Sequence, residues 1–255
     1  MNGTAAGTVP ALRITGATKR FGAVLALDSV DLEVAHGEVL ALLGDNGAGK
    51  STLIKCISGV HRLDDGTVEI DGSVVEIGTP ADARAAGIET VYQDLALFDN
   101  LDPAANFYAG REDARPHWLP RGLRVLRRRS MADATAEVLN RLQVSLPDRH
   151  AGVGLLSGGQ RQAIAVARAA AFAAGIVILD EPTAALGLRE SRRVLDLILR
   201  LRDEGRAVVV VSHAMDHVME IADRAVVLRR GRKAGEAVPT PQHQQQIVSL
   251  IVGGS

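Results

Sequence analysis

The sequence predicts an α/β fold in which a parallel sheet is interrupted by a mostly helical segment. Apolar runs at residues 39–43, 176–179 and 207–211 read as buried parallel strands, and helical patterns follow them. Residues 100–154 show no comparable strands and read as mostly helical. At 255 residues the chain has enough material for one large domain, or for one domain that carries a subdomain.

Composition and charge narrow the classes of protein that fit this chain. Hydrophobic residues make up 47% and charged residues 23%, and the formal net charge of −1 provides no global basic field for nucleic acid. We expect no signal peptide, because residues 1–10 lack a basic start and an apolar core, and no membrane span, because no apolar run reaches ~18 residues. The single cysteine, Cys56, excludes an intrachain disulfide, fits a reducing compartment and is expected in the core.

The first elements of the chain lead to a candidate base-binding residue. The turn after the first strand presents Phe21, which by local sequence packs in a core or stacks on a purine base. A hairpin is predicted around Asp71-Gly72, and Thr79 with Pro80 begins a short helix. The predicted elements here are strands at 12–18 and 29–34, hairpin strands at 67–70 and 74–77, a helix at 79–86, and a strand at 88–92 that ends on Gln93.

The centre of the predicted site is the glycine-rich stretch at residues 44–52, between the strand 39–43 and a helix at 52–58. It has the form G-x-x-x-x-G-K-[ST], whose glycines let backbone N–H groups wrap a phosphate chain at the positive end of the helix. Lys50 is expected to reach the β- and γ-phosphates, and the Ser51 hydroxyl to hold Mg²⁺. The residues predicted to bind the nucleotide here are Gly44, Asp45, Asn46, Gly47, Ala48, Gly49, Lys50, Ser51 and Thr52.

The helical middle of the chain concentrates aromatic and basic residues. We expect one helix to begin at Pro103 and another, at 130–142, to be capped by Ser130, with an exposed loop at 111–129 between them. Five of the seven aromatics form a small core, a docking surface or a chance grouping: Tyr92, Phe98, Phe107, Tyr108 and Trp118. The loop arginines form a solvated face or approach an anionic membrane surface, and no base-stacking pattern favours nucleic acid: Arg121, Arg124, Arg127, Arg128 and Arg129.

The α/β pattern resumes at Ser157, where Ser157 and Gln160 have the spacing of a capping box. No segment is repeated, so the chain contains one nucleotide-binding unit. The predicted elements are helices at 159–172, 188–203 and 215–221, strands at 176–179, 207–211 and 225–228, and a tail at 240–255 that is Gln-rich and then weakly helical.

Four side chains suited to phosphate chemistry follow predicted strands. The carboxyl ends of parallel strands meet at one edge of a sheet, so we expect these side chains to converge on the phosphate loop. Asp180 is expected to support Mg²⁺ through a water, and Glu181 to orient or deprotonate the attacking water. Gln93 offers an amide to the metal and the water, and His213 is expected to hydrogen-bond the γ-phosphate.

The stretch Leu156-Ser-Gly-Gly-Gln-Arg-Gln162 carries a resemblance to a known family. It contains LSGGQ, the signature of the ATP-binding subunits of ABC transporters, which is far more specific than the phosphate loop. The chain resembles these subunits over nearly its whole length, from Phe21 to His213. The resemblance implies an ABC ATP-binding domain at 11–235 and a C-terminal tail at 236–255. It further implies a P-loop NTPase (RecA-like) core at 11–93 and 157–235, with an antiparallel β subdomain and an inserted α-helical subdomain at 94–156.

The resemblance also implies how the site is completed. Two ATP molecules are sandwiched in a head-to-tail homodimer, and Phe21 stacks on the adenine. The helical subdomain receives an integral membrane permease, which favours the docking interpretation for part of the aromatic segment. Residues that contact the nucleotide of the other subunit are Ser157, Gly158, Gly159 and Gln160.

A finer similarity is to the ATPases of ribose-, xylose- and fructose-type importers. It rests on the stretches 91–101 (VYQDLALFDNL) and 180–187 (DEPTAALG). Most ABC members have an aspartate, normally a cross-dimer contact, where this chain has Gly187. The sugar-importer group shares this change, so Gly187 reads as a trait of the group. Many members of that group carry two fused ATP-binding halves, whereas this chain has one.

The predicted function is ATP hydrolysis that powers monosaccharide uptake through a separate permease. The resemblance implies a peripheral location on the cytoplasmic face of the cell membrane, Mg²⁺-ATP as the nucleotide, and a periplasmic or extracellular sugar-binding protein in the same system. One alternative is a soluble ABC-type ATPase acting on ribosomes or DNA, which usually has a second unit or a long coiled-coil insertion. An exporter subunit is a further alternative, which the similarity to sugar importers disfavours.

Overall fold

The computed structural model describes residues 9–115 and 125–253 of the chain. These residues belong to two compact units. The first draws on Met1–Gln93, Phe172–Pro182 and Ile198–Ser255, and the second on Asp94–Ala171 and Thr183–Leu197. In the described part of the chain, no helix has both the length and the apolar character that crossing a membrane requires.

Strands and helices alternate along most of the described chain. The strands are β1 Leu12–Phe21, β2 Val24–Val34, β3 Val39–Leu43, β4 Asp65–Ile70, β5 Ser73–Val75, β6 Ile88–Val91, β7 Ala114–Arg115, β8 Val125–Leu126, β9 Ile176–Asp180, β10 Ala207–Val211, β11 Arg224–Arg229 and β12 Arg232–Ala237. The helices are α1 Lys50–Ile57, α2 Pro80–Ala85, α3 Pro103–Tyr108, α4 Arg128–Arg141, α5 Gly158–Phe172, α6 Leu188–Asp203, α7 Met215–Ile221 and α8 Gln244–Val252, with short 3₁₀ turns at Val153–Leu155 and Pro241–His243.

The main sheet of the first unit is six-stranded, in the order β12-β11-β3-β10-β9-β6. Five of its strands are parallel, and β12 pairs antiparallel with β11 at one edge. All five residues of β3 and all five of β10 are buried, which explains why both read as continuous apolar runs. The predicted parallel α/β arrangement is therefore confirmed. β12 was not predicted, because its sequence RKAGEA has the polar composition of a loop.

A second, antiparallel sheet in the first unit has the order β2-β1-β4-β5. The predicted hairpin is confirmed, with Ile70 paired to Ser73 around the turn at Asp71-Gly72. The first strand is longer than predicted and ends at Phe21, which pairs with Val24, so Phe21 lies on a strand rather than in the turn. The Thr79 cap is also confirmed: its side chain and that of Asp82 form a reciprocal capping box.

The second unit contains α3 and α4, α5 up to Ala171, and the start of α6. Asn106 on α3 is fully buried and organises the preceding loop: its Oδ1 accepts from the Phe98 N–H at 2.7 Å, and its Nδ2 donates to three backbone carbonyl oxygens at 3.1 Å. Phe107 is buried as well, whereas Phe98 is exposed. The aromatic segment thus supplies both a small core and surface residues, and the assignment of this unit as a docking subdomain stays a prediction.

One helix start in the middle of the chain was predicted wrongly. Helix α4 begins at Arg128, two residues before Ser130, and its N-cap Arg127 makes no side-chain capping bond. Arg128 and Arg129 are therefore helical, and Ser130 lies in the first turn instead of capping it. The predicted exposed loop also contains β7 and β8, which pair with each other. Trp118, Arg121 and Arg124 lie outside the described residues.

Candidate functional site

The phosphate loop joins the end of β3 to the start of α1 and is shaped by its glycines. Gly44 has φ 144°, and a Cβ there would overlap the Leu228 carbonyl oxygen. Gly49 has φ 107°, and a Cβ there would lie 2.8 Å from the Ala26 carbonyl oxygen. Both positions combine left-handed backbone with close backbone neighbours, so only glycine fits. The loop is thereby held in a shape whose N–H groups are suited to an anion at the start of α1.

Lys50 is nearly buried beneath this loop. Its side chain is 6% exposed, and Nζ donates to the Gly44 carbonyl oxygen at 2.6 Å and the Asp45 carbonyl oxygen at 3.0 Å. Burial lowers the pKa of the Lys50 ammonium, and the nearby carboxylates of Glu181 and Asp180 oppose that shift. The ammonium is thus positioned inside the loop with neutral carbonyl partners, and a phosphate would offer it a stronger, charged acceptor.

The sheet order brings the predicted catalytic strands next to one another. β3, β10, β9 and β6 are consecutive neighbours. Val211 pairs in register with both Leu42 and Asp180, and Leu179 pairs with Val91. The phosphate loop, Asp180-Glu181, His213 and Gln93 therefore all follow strands that end at the same edge. Gln93 is exposed there, two residues beyond the end of β6.

Glu181 is held in an uncommon backbone conformation. Its φ is 52°, and its N–H donates to the Val211 carbonyl oxygen at 2.9 Å, which ties the end of β9 to β10. Its Oε1 lies 3.4 Å from Nε2 of His213 and is buried without a hydrogen-bond partner among the described residues. Burial raises the pKa of Glu181, although His213 opposes the shift. A buried carboxylate oxygen with raised basicity and no partner is suited to accept a proton from water.

The residues predicted to hold Mg²⁺ fit that ion. Burial raises the pKa of Asp180, and the neighbouring Lys50 opposes the shift. Ser51, in the first turn of α1, is exposed, and its hydroxyl forms no hydrogen bond within residues 9–115 and 125–253. No group of three or more His, Cys, Asp or Glu side chains in these ranges could hold a metal ion. This donor set suits Mg²⁺, which uses one or two protein oxygens together with phosphate and water, better than an ion that needs a protein cage.

Phe21 presents an aromatic ring at the surface of the first unit. The side chain is 42% exposed at the end of β1. The His61 ring meets it edge-to-face, with centroids 5.1 Å apart, and Lys19 Nζ lies 5.6 Å from its centroid. Lys19 is itself held by Asp64 Oδ1 at 2.7 Å. These contacts fix the ring while leaving part of it free to stack on a base.

The signature lies in the second unit, at the start of α5. The predicted capping box is confirmed: the Ser157 N–H donates to Gln160 Oε1 at 3.0 Å, and the Gln160 N–H donates to Ser157 Oγ at 3.3 Å. Ser157 and Gly158 are exposed, whereas Gly159 is buried. The exposed residues can meet a ligand at the positive end of the helix.

Some residues around these sites were not predicted from the sequence. Arg168 of α5 donates to the carbonyl oxygens of Ala96 at 3.0 Å and Leu95 at 3.1 Å, and so holds the start of the segment after Gln93. Glu190 packs against Gly159. Both contacts join residues that are far apart in the sequence, so no local pattern indicates them. Cys56 is buried as predicted, and burial raises the pKa of its thiol to about 11, which makes it unreactive.

Comparisons with known proteins agree with this geometry. The ABC transporter family matches residues 27–184. The chain is 45% identical over 245 residues to the fructose import ATP-binding protein FrcA of Rhizobium meliloti, a match that covers 96% of this chain and 94% of that protein. It is 47% identical over 221 residues to the xylose/arabinose import ATP-binding protein XylG of Sulfolobus acidocaldarius, covering 87% and 85% respectively.

A solved structure matches the fold over the same extent. It is the ADP conformation of an ATP-binding cassette of an ABC transporter, with a TM-score of 0.81 and 25% identity, covering 96% of this chain and 100% of that one. The predicted P-loop NTPase fold is confirmed by this likeness and by the sheet order. With a phosphate loop, an acidic pair and a signature helix in the family's order, the chain belongs to the ABC transporter family and is one of its ATPases.

Proposed function

We propose that this chain forms a homodimer that hydrolyses Mg²⁺-ATP to power the import of a monosaccharide through a separate membrane permease. The observation that carries the proposal is the similarity, over most of both chains, to ATP-binding proteins of fructose and of xylose/arabinose import. In this proposal an external sugar-binding protein delivers the sugar to the permease. The chain itself lies peripherally on the cytoplasmic face of the membrane.

The phosphate loop and Lys50 bind the triphosphate in this proposal. Backbone N–H groups of residues 44–52 surround the β-phosphate, and the Lys50 ammonium exchanges its carbonyl partners for phosphate oxygens. Ser51, Asp180 and Gln93 would hold Mg²⁺, which when bound neutralises charge on the β- and γ-phosphates. Phe21 stacks on the adenine, and its fixed ring loses little freedom on binding.

Glu181 activates the attacking water. Its Oε1 is the buried, unpartnered acceptor at the edge of the sheet, and its pKa is raised by burial. His213, which lies 3.4 Å from this oxygen, stabilises the carboxylate and donates toward the γ-phosphate. Gln93 orients the same water from the end of β6. The second copy of the chain completes the site with Ser157, Gly158, Gly159 and Gln160, whose capped helix end faces the γ-phosphate.

An uptake assay tests the proposed function. A strain lacking this gene, with its transport genes otherwise intact, should lose uptake of one radiolabelled monosaccharide among fructose, xylose, arabinose and ribose. The wild-type gene should restore that uptake, and Glu181→Gln should not. Unchanged uptake of every sugar in the deletion strain would contradict sugar import. Co-sedimentation of the tagged chain with ribosomes rather than membranes would support the soluble alternative, which the import relatives do not favour.

A further inference from the structure

Glu190, in the first turn of α6, lies between two glycines that are far apart in the chain. A Cβ on Gly159, in the signature, would lie 2.5 Å from Glu190 Cβ, so the stem of Glu190 packs directly on the Gly159 backbone. A Cβ on Gly187 would lie 2.7 Å from Glu190 Oε2. Both distances are too short for a real Cβ atom. The stem of Glu190 therefore requires glycine at position 159, whereas a side chain at position 187 would displace the Glu190 carboxylate from the place it occupies.

The carboxylate of Glu190 has no partner of its own in the described part of the chain. The side chain is half-buried, and neither a hydrogen bond nor an ion pair to its oxygens forms within residues 9–115 and 125–253. Its place in the first turn of α6 is favourable for a negative charge, but that effect needs no particular orientation of the oxygens. A half-buried carboxylate oriented by packing and lacking a donor is suited to a donor from another molecule.

The surroundings of Glu190 are apolar and exposed. Leu188, the first residue of α6, is 90% exposed, and Leu155, two residues before Ser157, is 84% exposed. The two loops are adjacent, because a Cβ on Gly158 would lie 3.5 Å from Leu186 Cδ2. Exposed large apolar residues around an unpartnered polar group are typical of a protein interface.

We propose that Glu190 supplies the carboxylate with which this surface accepts a hydrogen bond from a second copy of the chain. The inference rests on the proposed homodimer, because the surface is continuous with Ser157 and Gly158, which face the second copy in that assembly. It also accounts for Gly187. Gly187 leaves the space that Glu190 Oε2 occupies, so the carboxylate reaches this surface from the first turn of α6.

The test compares variants at positions 190 and 187 in the full-length chain. Dimerisation with Mg²⁺ and a non-hydrolysable ATP analogue is followed by analytical ultracentrifugation. Glu190→Ala should raise the dimer Kd about tenfold or more, since a buried acceptor at an interface is lost. Glu190→Gln, which keeps an acceptor oxygen, should have a smaller effect. Glu137→Ala is the control and should leave the dimer Kd unchanged, because Glu137 is an exposed glutamate on α4 of the same unit.

A carboxylate swap separates this role from a structural one. Gly187→Asp alone should weaken the dimer, because the new side chain overlaps Glu190 and places two carboxylates together. The double variant Gly187→Asp/Glu190→Ala should return the dimer Kd to within about threefold of the wild type, a non-additive result expected only for coupled positions. Binding of a fluorescent ATP analogue by the monomer should be the same in all variants, which shows that each is folded.

Each result decides the matter. An unchanged dimer Kd for Glu190→Ala, or a double variant no better than Glu190→Ala, would overturn the role of Glu190 while leaving the proposed function in place. If Glu190→Ala does not fold, the dimer Kd is measured with Glu190→Gln and Gly187→Ala instead. Gly187→Ala displaces the carboxylate without removing it, so it should also raise the Kd, and an unchanged Kd in both variants would overturn the role of Glu190. A wild-type chain that binds the analogue but stays monomeric would overturn the proposed homodimer, and this inference with it.

Discussion

At the scale of single residues, burial perturbs charged groups around the phosphate loop in opposite directions. Burial lowers the pKa of Lys50 and raises the pKa of both Asp180 and Glu181. Burial thus disfavours the charged form of each group, and the opposite charges nearby partly offset this effect. Such arrangements are found at functional sites, where binding a ligand of opposite charge restores what folding removed. In the proposed function that ligand is a triphosphate with its metal ion.

Glu181→Gln should stabilise the nucleotide-free protein at pH 7. Because the folded pKa is raised above 4.5, the ionised carboxylate disfavours folding at pH 7, and the amide removes that cost. The gain in melting temperature should shrink as the pH falls through the raised pKa of the folded state and below 4.5, because the wild-type carboxyl then becomes protonated in both states. Calorimetry between pH 4 and pH 8 measures it, with Glu137→Gln as an exposed control. A gain independent of pH would contradict the burial argument.

At the scale of elements, caps and buried polar groups set where loops and helices meet. The capping box of α5 holds the signature at the first turn of its helix. Asn106 does comparable work for the loop before α3, where one buried side chain satisfies four backbone groups. Neither function depends on hydrophobic burial, so patterns of apolar residues do not reveal Asn106.

Asn106→Ala should destabilise the chain by about 2–4 kcal/mol, because the Phe98 N–H loses its acceptor and three backbone carbonyl oxygens each lose one of their hydrogen bonds around a buried side chain. Urea unfolding of the full chain measures the change. Asn140→Ala on α4, whose side chain is exposed and accepts from Arg149, serves as the control and should cost less than about 1 kcal/mol. Equal destabilisation by both changes would count against the role of Asn106.

At the scale of the whole molecule, the proposed nucleotide-binding and dimerisation surfaces belong to different units. The phosphate loop, Lys50 and the acidic pair lie in the first compact unit, whereas the signature lies in the second. In the proposed mechanism a monomer therefore binds ATP with its first unit alone. Completion of the site by the second unit of another copy is the proposed step that couples binding to assembly.

Ser157→Arg should separate these two activities. A bulky cation at this exposed position should block ATP-dependent dimerisation while the monomer binds ATP with unchanged affinity. Lys50→Ala should act at the earlier step, by lowering ATP affinity about tenfold or more through loss of a charge-assisted contact. Size-exclusion chromatography and nucleotide titration measure the two effects.

Ser157→Ala is the control for the first variant, since it removes the cap, at a cost of about 1 kcal/mol, without adding bulk. It should still dimerise with ATP. A dimer of undiminished stability with Ser157→Arg would refute the cross-subunit role of the signature.

Much of the fold and the candidate site is readable from local sequence. The strands β3, β9 and β10 are buried on both faces and so appear as continuous apolar runs, and the phosphate loop and the α5 capping box depend on neighbours within a few residues. The polar edge strand β12 and the start of α4 were missed, because pairing with β11 and packing of the second unit override local propensity there.

The sequence by itself determined that the chain binds a nucleoside triphosphate and belongs to a family, since both depend on short contiguous motifs with fixed chemistry. Tertiary structure alone decided which residues those motifs meet. The buried, unpartnered oxygen of Glu181 depends on its contact with β10, and the stem of Glu190 excludes a side chain at Gly159. Contacts between distant segments follow from packing, and a one-dimensional pattern does not record which side chain occupies which space.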